Sequence, residues 1–253
     1  MAAEPGSVQF SIGRVIGDSL GVYARNFVSF SVLALVVGVP DLVLKMYHLS
    51  QTPQTAPGEI PDVSAAGIDL LVKMLVSALT QAAIIYGTFQ DLRGSRAGFT
   101  DCITRGLASV VPVILGSLLL AIGVGIGTLL FIIPGIILAL MWWVYVPGIV
   151  VEGKGIFESF GRSRELTSGH RWHILGLLIV VVLLALAVGV VIGLITYAAV
   201  SSSSDPGFFG VIAQYVIDSL VTAFSAVLVA VGYYYLRAEK EGVDVNEIAN
   251  VFD

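Results

Sequence analysis

Two acid–lysine pairs stand at helical spacing in otherwise apolar sequence: Asp41 with Lys45, and Asp69 with Lys73. An acid four residues before a lysine is the favourable order on a helix. Asp218 lies at a comparable depth in a later apolar stretch, with no lysine or arginine near it in sequence. Ionisable groups inside a membrane are costly, so they pair or face a polar cavity. Asp41, Lys45, Asp69, Lys73 and Asp218 are therefore candidate binding residues of an outward-facing polar vestibule, suited to a substrate or a proton. The alternative is local salt bridging, with the lysine stems reaching up to the interface.

A second set is basic. Arg14, Arg25, Arg93, Arg162, Arg164, Arg171 and Arg237 are candidates for contact with anionic lipid headgroups. They are densest at Arg162, Arg164 and Arg171, beside His170, Trp172 and His173. Each basic residue near an anionic surface contributes about 1 kcal/mol. The alternative is that these charges only set topology. His170 and His173 lack further ligands, so neither metal nor cofactor is expected. Glu158 and Arg162 have the i,i+4 spacing of a structural helix pair. Gly189 and Gly193 form a GxxxG motif, which permits close helix approach within the bundle, to a membrane protein partner or in a homo-oligomer.

Other chemistries lack their residues. No nucleotide loop, HExxH, GxSxG, two-metal carboxylate cluster or basic run suited to nucleic acid occurs. Cys102 is the one cysteine, so no intrachain disulfide forms, and the zinc spacings are absent. No catalytic residue is assigned, and the chain is expected not to be an enzyme.

The elements that position these residues follow from composition. The chain is 57% hydrophobic and 12% charged, against about 25% charged in soluble domains. Its mean hydropathy is +0.93. So much apolar side chain needs a lipid solvent. A helix crosses ~30 Å of hydrocarbon with about 20 apolar residues. From Gly106 to Val151 no residue is charged, which would be ~69 Å as one helix and so makes two spans. Gly123, Gly125 and Gly127 suggest the turn between them, with Pro134 near the start of the second. Ser201 to Gly207 reads as a loop. Six spans result, at about 27–47, 66–90, 106–127, 130–151, 173–199 and 209–236. Pro40, Pro112, Pro134 and Pro147 kink spans or mark their ends.

Lys and Arg remain on the cytoplasmic side in short loops. All basic residues except Lys45 and Lys73 fall before span one, between spans two and three, between four and five, or after six. This alternation predicts six spans with both termini cytoplasmic. Trp142, Trp143, Trp172 and Tyr233 to Tyr235 fall near the predicted interfaces. Residues 1–9 have no basic region followed by an apolar one, so no cleavable signal is expected.

Each pair of spans is preceded by a short amphipathic segment: 10–26, 99–105 and 157–169. Each of the three has a phenylalanine near its start and an arginine a few residues later. The expected fold is an all-α polytopic membrane helical bundle, a single membrane domain. Its six transmembrane helices form three hairpins, each preceded by a short cytoplasmic amphipathic helix. The repeat units are about 9–93, 98–153 and 155–240, with 241–253 a cytoplasmic tail. Units with an even number of spans are parallel repeats about an axis along the membrane normal.

Three stretches carry a resemblance. They are Phe10-Ser11-Ile12-Gly13-Arg14 with Tyr23-Ala24-Arg25-Asn26-Phe27; Pro147 to Gly155 with Ser163 to Gly169 and Trp172; and Tyr234-Tyr235-Leu236-Arg237 with Glu241-Gly242. Together they resemble the membrane-domain family associated with glycerophosphoryl diester phosphodiesterases, and related small bacterial proteins of unknown function. Tyr235 departs from the aspartate that similar proteins often carry before Leu-Arg, whereas Asp91-Leu92-Arg93 keeps it. The segment after span six has no length for the family's catalytic barrel. The resemblance thus implies a membrane module without phosphodiesterase activity, in the plasma (inner) membrane of a prokaryote.

The leading expectation is a non-enzymatic module acting through membrane lipid or partner-protein contacts. The second is a small transporter or lipid translocase with a polar outer-leaflet site. A lipid hydrolase comes third.

Overall fold

The computed structural model describes residues 9–50, 63–95, 97–201 and 206–242. Ser11 opens the first helix, its hydroxyl accepting the Arg14 N–H at 3.4 Å. This helix, α1 (Ile12–Arg25), buries Val15, Ser19 and Val22 along one face. Asn26 breaks the chain before α2 (Phe27–Ser50). Then follow α3 (Val63–Leu92), α4 (Phe99–Leu130), α5 (Ile132–Met141), α6 (Tyr145–Val150), α7 (Ile156–Thr167), α8 (Arg171–Ser201) and α9 (Pro206–Glu241). The described residues contain no strand.

Six helical segments are long and apolar enough to cross a membrane: Phe27–Ser50, Gly67–Leu92, Phe99–Leu130, Ile132–Val150, Arg171–Leu194 and Gly207–Glu241. They mark a multi-pass membrane protein. Each predicted span falls on one of them. Large apolar side chains such as Leu129, Ile133 and Leu183 stand exposed along these segments, as a lipid-facing surface requires.

Two local expectations are corrected. The glycines at 123, 125 and 127 do not form the turn. They are helical residues of α4, and the chain turns at Phe131, whose backbone is extended (φ −158°, ψ 145°). Gly127 instead lets α4 meet α5 backbone to backbone, since a Cβ there would lie 3.1 Å from the Gly135 Cα. The second predicted amphipathic segment, 99–105, is no separate helix either. It is the first two turns of α4, which continues without a break.

The fourth span is broken, and the break has a physical account. Pro147 cannot donate a backbone hydrogen bond, so the helix is interrupted between Met141 and Tyr145. Backbone groups freed inside a bilayer need other partners. Helix α7 supplies them. The buried Ser163 hydroxyl donates to the Met141 carbonyl at 2.9 Å and accepts the Val144 N–H at 3.2 Å. The Thr167 hydroxyl also donates to the Met141 carbonyl, at 3.2 Å.

The core lies between α3, α6 and the second half of α9. Ala82, Ala83, Ile84 and Ile85 of α3 are fully buried, as are Ala223, Val227, Ala230 and Val231 of α9. Small residues let membrane helices approach closely where no hydrophobic force drives them together. Half of the α9 span is buried, against 11% for α8, so α9 is the central helix and α8 a peripheral one.

Candidate functional site

Polar chemistry collects at the two ends of the bundle. At one end, Lys45 of α2 lies 3.0 Å from Asp41 and 3.0 Å from Asp218 of α9. Gln214 donates to the other Asp218 oxygen at 2.7 Å. Asp218, isolated in sequence, thus gains its cation across the bundle. Tyr215 donates to the Leu35 carbonyl beside it. Gly38 leaves room for that ring, since a Cβ would lie 3.0 Å from it. The Asp69–Lys73 pairing is corrected: Asp69 pairs with His48 at 2.9 Å. The α2–α3 contact brings the last turn of α2 to the Asp69 carboxylate, while Lys73 stays exposed and forms no ion pair among the described residues.

The opposite end is built around Glu152, whose side chain is only 7% exposed. Arg162 of α7 reaches it with Nε at 3.2 Å from both carboxylate oxygens and Nη2 at 3.1 Å. Lys154 lies at 2.8 Å and Arg237 at 3.7 Å. Tyr233 donates its hydroxyl to the same carboxylate. Gly153, at φ 64°, makes the left-handed turn that folds Lys154 back. Arg162 also binds Glu241, which Arg237 Nε holds at 2.7 Å. Burial pushes the Glu152 carboxyl up, but hydrogen bonds from Lys154, Tyr233 and Arg162 outweigh it and hold the group below its usual range. It stays an anion, as a buried acceptor with several charged donors must.

The end of α9 ties the other elements to this centre. Tyr235 donates to Asp18 of α1. Glu239 accepts the Phe10 N–H at 2.7 Å and meets His170 Nε2 at 3.0 Å. Asp91, ending α3, takes Arg25 and Asn26 at 2.8 Å each. Tyr235 therefore has a structural task, joining the end of α9 to α1.

The basic residues divide by role. Arg162 and Arg237 are buried and committed to Glu152 and Glu241, so they are not presented to headgroups. Arg25 is held by Asp91. Arg14 and Arg164 are exposed, and Arg171 is half-buried. The Glu158–Arg162 pairing is corrected too: Glu158 accepts the Gly155 N–H at 3.2 Å and caps α7 instead. A Cβ at Gly189 or Gly193 would meet nothing within 4 Å among the described residues, so the GxxxG motif makes no close approach to them.

Sequence reasoning missed Glu152 and Tyr233 as the centre of this end. It also left Arg105 out of the headgroup set. Arg105 lies over the Tyr86 ring at 5.8 Å. Beside it, between α4 and the end of α6, runs a cleft of about 380 Å³ reaching Lys154. A hollow of about 160 Å³ adjoins it, reaching Arg93 and sharing Arg105, Val150 and Val151. The signal was available: Arg93, Arg105 and Lys154 all flank predicted spans on one side.

A family model, described as a domain of unknown function, DUF7847, matches residues 96–239. The chain belongs to the DUF7847 family. The DUF7847 stretch contains Glu152, Arg162, Tyr233 and Arg237, and the whole of the large cleft; α1 to α3 precede it. No curated protein and no solved structure matches the chain.

Proposed function

We propose that the protein is a non-enzymatic membrane module that works through anionic lipid at the inner face of a prokaryotic plasma membrane, with both termini cytoplasmic. The observation that carries this reading is a set of unsheltered aromatic and basic side chains at one end. Phe157 is 79% and Trp172 82% exposed, beside the exposed Arg164 and half-buried Arg171. Aromatic rings with basic neighbours are favoured at the headgroup level. Such a placement costs free energy in water and none at a lipid interface.

The threefold repeat belongs to this reading. Helices α2 and α3, α4 and α5, and α8 and α9 touch as successive pairs. The short helices α1 and α7 precede the first and third pairs. The resemblance to the membrane domains associated with glycerophosphoryl diester phosphodiesterases fits such a module, without phosphodiesterase activity.

Nanodiscs of mixed phosphatidylglycerol and phosphatidylcholine test the proposal. Extracted protein is expected to retain the anionic lipid preferentially, and Arg164→Gln with Arg171→Gln to weaken that preference. Equal retention of both lipids, with no partner crosslinked in cells, sinks it. Reporter tags inserted after Asp62 and after Gly94 are expected in opposite compartments.

A small transporter or lipid translocase is the second reading, favoured by the Lys45–Asp218 pair that joins the first and third units. Unchanged flux in Asp218→Asn and Lys73→Met would remove it.

A further inference from the structure

We infer that the two adjoining hollows bridged by Arg105, one lined also by Lys154 and the other by Arg93, bind the phosphate of one anionic phospholipid, a site rather than a diffuse surface attraction. The inference rests on the lipid reading above and narrows it to one place. Three cations come from three different elements: Arg93 follows the end of α3, Arg105 lies on α4 and Lys154 follows α6. They line two hollows that share Arg105, Val150 and Val151. The larger, at about 380 Å³, falls in the size range of small-ligand sites.

The charge balance favours an anion. Glu152 is the one carboxylate lining either hollow. Its charge is already met by Arg162 and Tyr233, with Lys154 shared between Glu152 and the hollow. Arg105 forms no ion pair among the described residues; the Tyr86 ring holds its guanidinium in place without neutralising it. Arginine in this state offers a planar fork that matches phosphate oxygens.

The cleft is also graded along its length. From Arg105 it passes down α4 by Ala108, Ser109 and Pro112, facing Ile149 and Val150 of α6. These positions lie within two of the apolar spans. Pro112 has no N–H, so the Ala108 carbonyl on this wall lacks its usual donor four residues on. A polar head above an apolar slot suits a phosphate carried on acyl chains better than a free anion.

Native mass spectrometry of the full chain in a neutral detergent tests this, with phosphatidylglycerol, phosphatidylcholine, glycerol phosphate and inorganic phosphate as probes. One phosphatidylglycerol is expected to persist per chain. Arg105→Gln is expected to weaken it about fivefold, the equivalent of about 1 kcal/mol for one basic residue. Arg105→Lys, which keeps the charge but loses the fork, is expected to weaken it less, and Lys240→Gln to leave it unchanged. Unfolding temperatures of each variant confirm that the bundle is intact. If the wild type prefers phosphatidylglycerol and Arg105→Gln keeps that preference undiminished, the cleft is not the site. If the wild type shows no preference, the lipid reading itself falls. Displacement of the lipid by millimolar inorganic phosphate or glycerol phosphate overturns the lipid as the source.

Discussion

Tyr233 of α9 donates its hydroxyl to Glu152, the carboxylate that also receives Arg162 of α7. A central helix, the end of a broken span and a short surface helix are thereby fixed to one buried anion. Removing a partner from such a site leaves the others uncompensated, which costs about 3–5 kcal/mol. Glu152→Gln and Arg162→Met are each expected to lower the unfolding temperature in detergent by many degrees. Together they are expected to cost less than the sum of the two, because each alone strands the other's charge. Additive losses in a double-mutant cycle would show that the groups do not act as a unit.

Glu152 also sets a pH dependence. Its carboxyl is held below the usual glutamate range in the folded chain. Its stabilising contribution is therefore present above the ordinary glutamate value of about 4.3 and is lost as pH falls through the lower folded value. Unfolding temperature is expected to be flat near neutrality and to fall in acid below that point. In Glu152→Gln the acid slope is expected to be shallower; an identical slope would place the titration elsewhere.

Ser163 closes the gap between α5 and α6 by bonding both Met141 and Val144. Ser163→Ala leaves the Val144 N–H short of a partner and the Met141 carbonyl with Thr167 alone, a loss of about 1–3 kcal/mol. Accelerated amide exchange at residues 142–145, measured against the rest of the fourth span, is the expected signature.

Gly135 is the tightest position between α4 and α5. A Cβ there would lie 2.0 Å from the Thr128 hydroxyl and 2.8 Å from the Thr128 nitrogen. Because the second contact is backbone, it cannot be relieved by a rotamer change alone. Gly135→Ala is expected to destabilise the bundle by about 1–3 kcal/mol, and Gly135→Ala combined with Thr128→Ala only partly to restore it. Full restoration by Thr128→Ala would show that the hydroxyl is the whole obstacle.

Asp69 answers to His48, not Lys73. Lys73→Met is expected to leave thermal stability within about 0.5 kcal/mol, as for an exposed residue outside any network. His48→Ala, which removes the partner of Asp69, is expected to lower the unfolding temperature more than Lys73→Met does.

The six spans are legible in the sequence because lipid imposes length and apolarity on each helix separately. One residue needs no knowledge of its neighbour for that rule to hold. The pairings are not legible for the same reason. Asp69 and Lys73, or Glu158 and Arg162, satisfy a local spacing, yet His48 and the Gly155 N–H lie closer once the helices cross. Asp218 looked solitary because its cation sits on a helix far back in the chain. Gly123 and Gly127 misled because glycine breaks helices in water but in lipid can mark close packing, here against Trp142 and Gly135. Glu152 was hidden among topology-setting charges, and only its burial separates it from them.

Helix α8 is anchored at its foot, where Ile174 and Leu177 are fully buried, and open from Gly189 to Gly193. Over that stretch few neighbouring side chains fix its inclination, so a change of tilt there needs little repacking. A thinner or thicker bilayer is therefore expected to act first on this helix, beyond the foot where His170 meets Glu239.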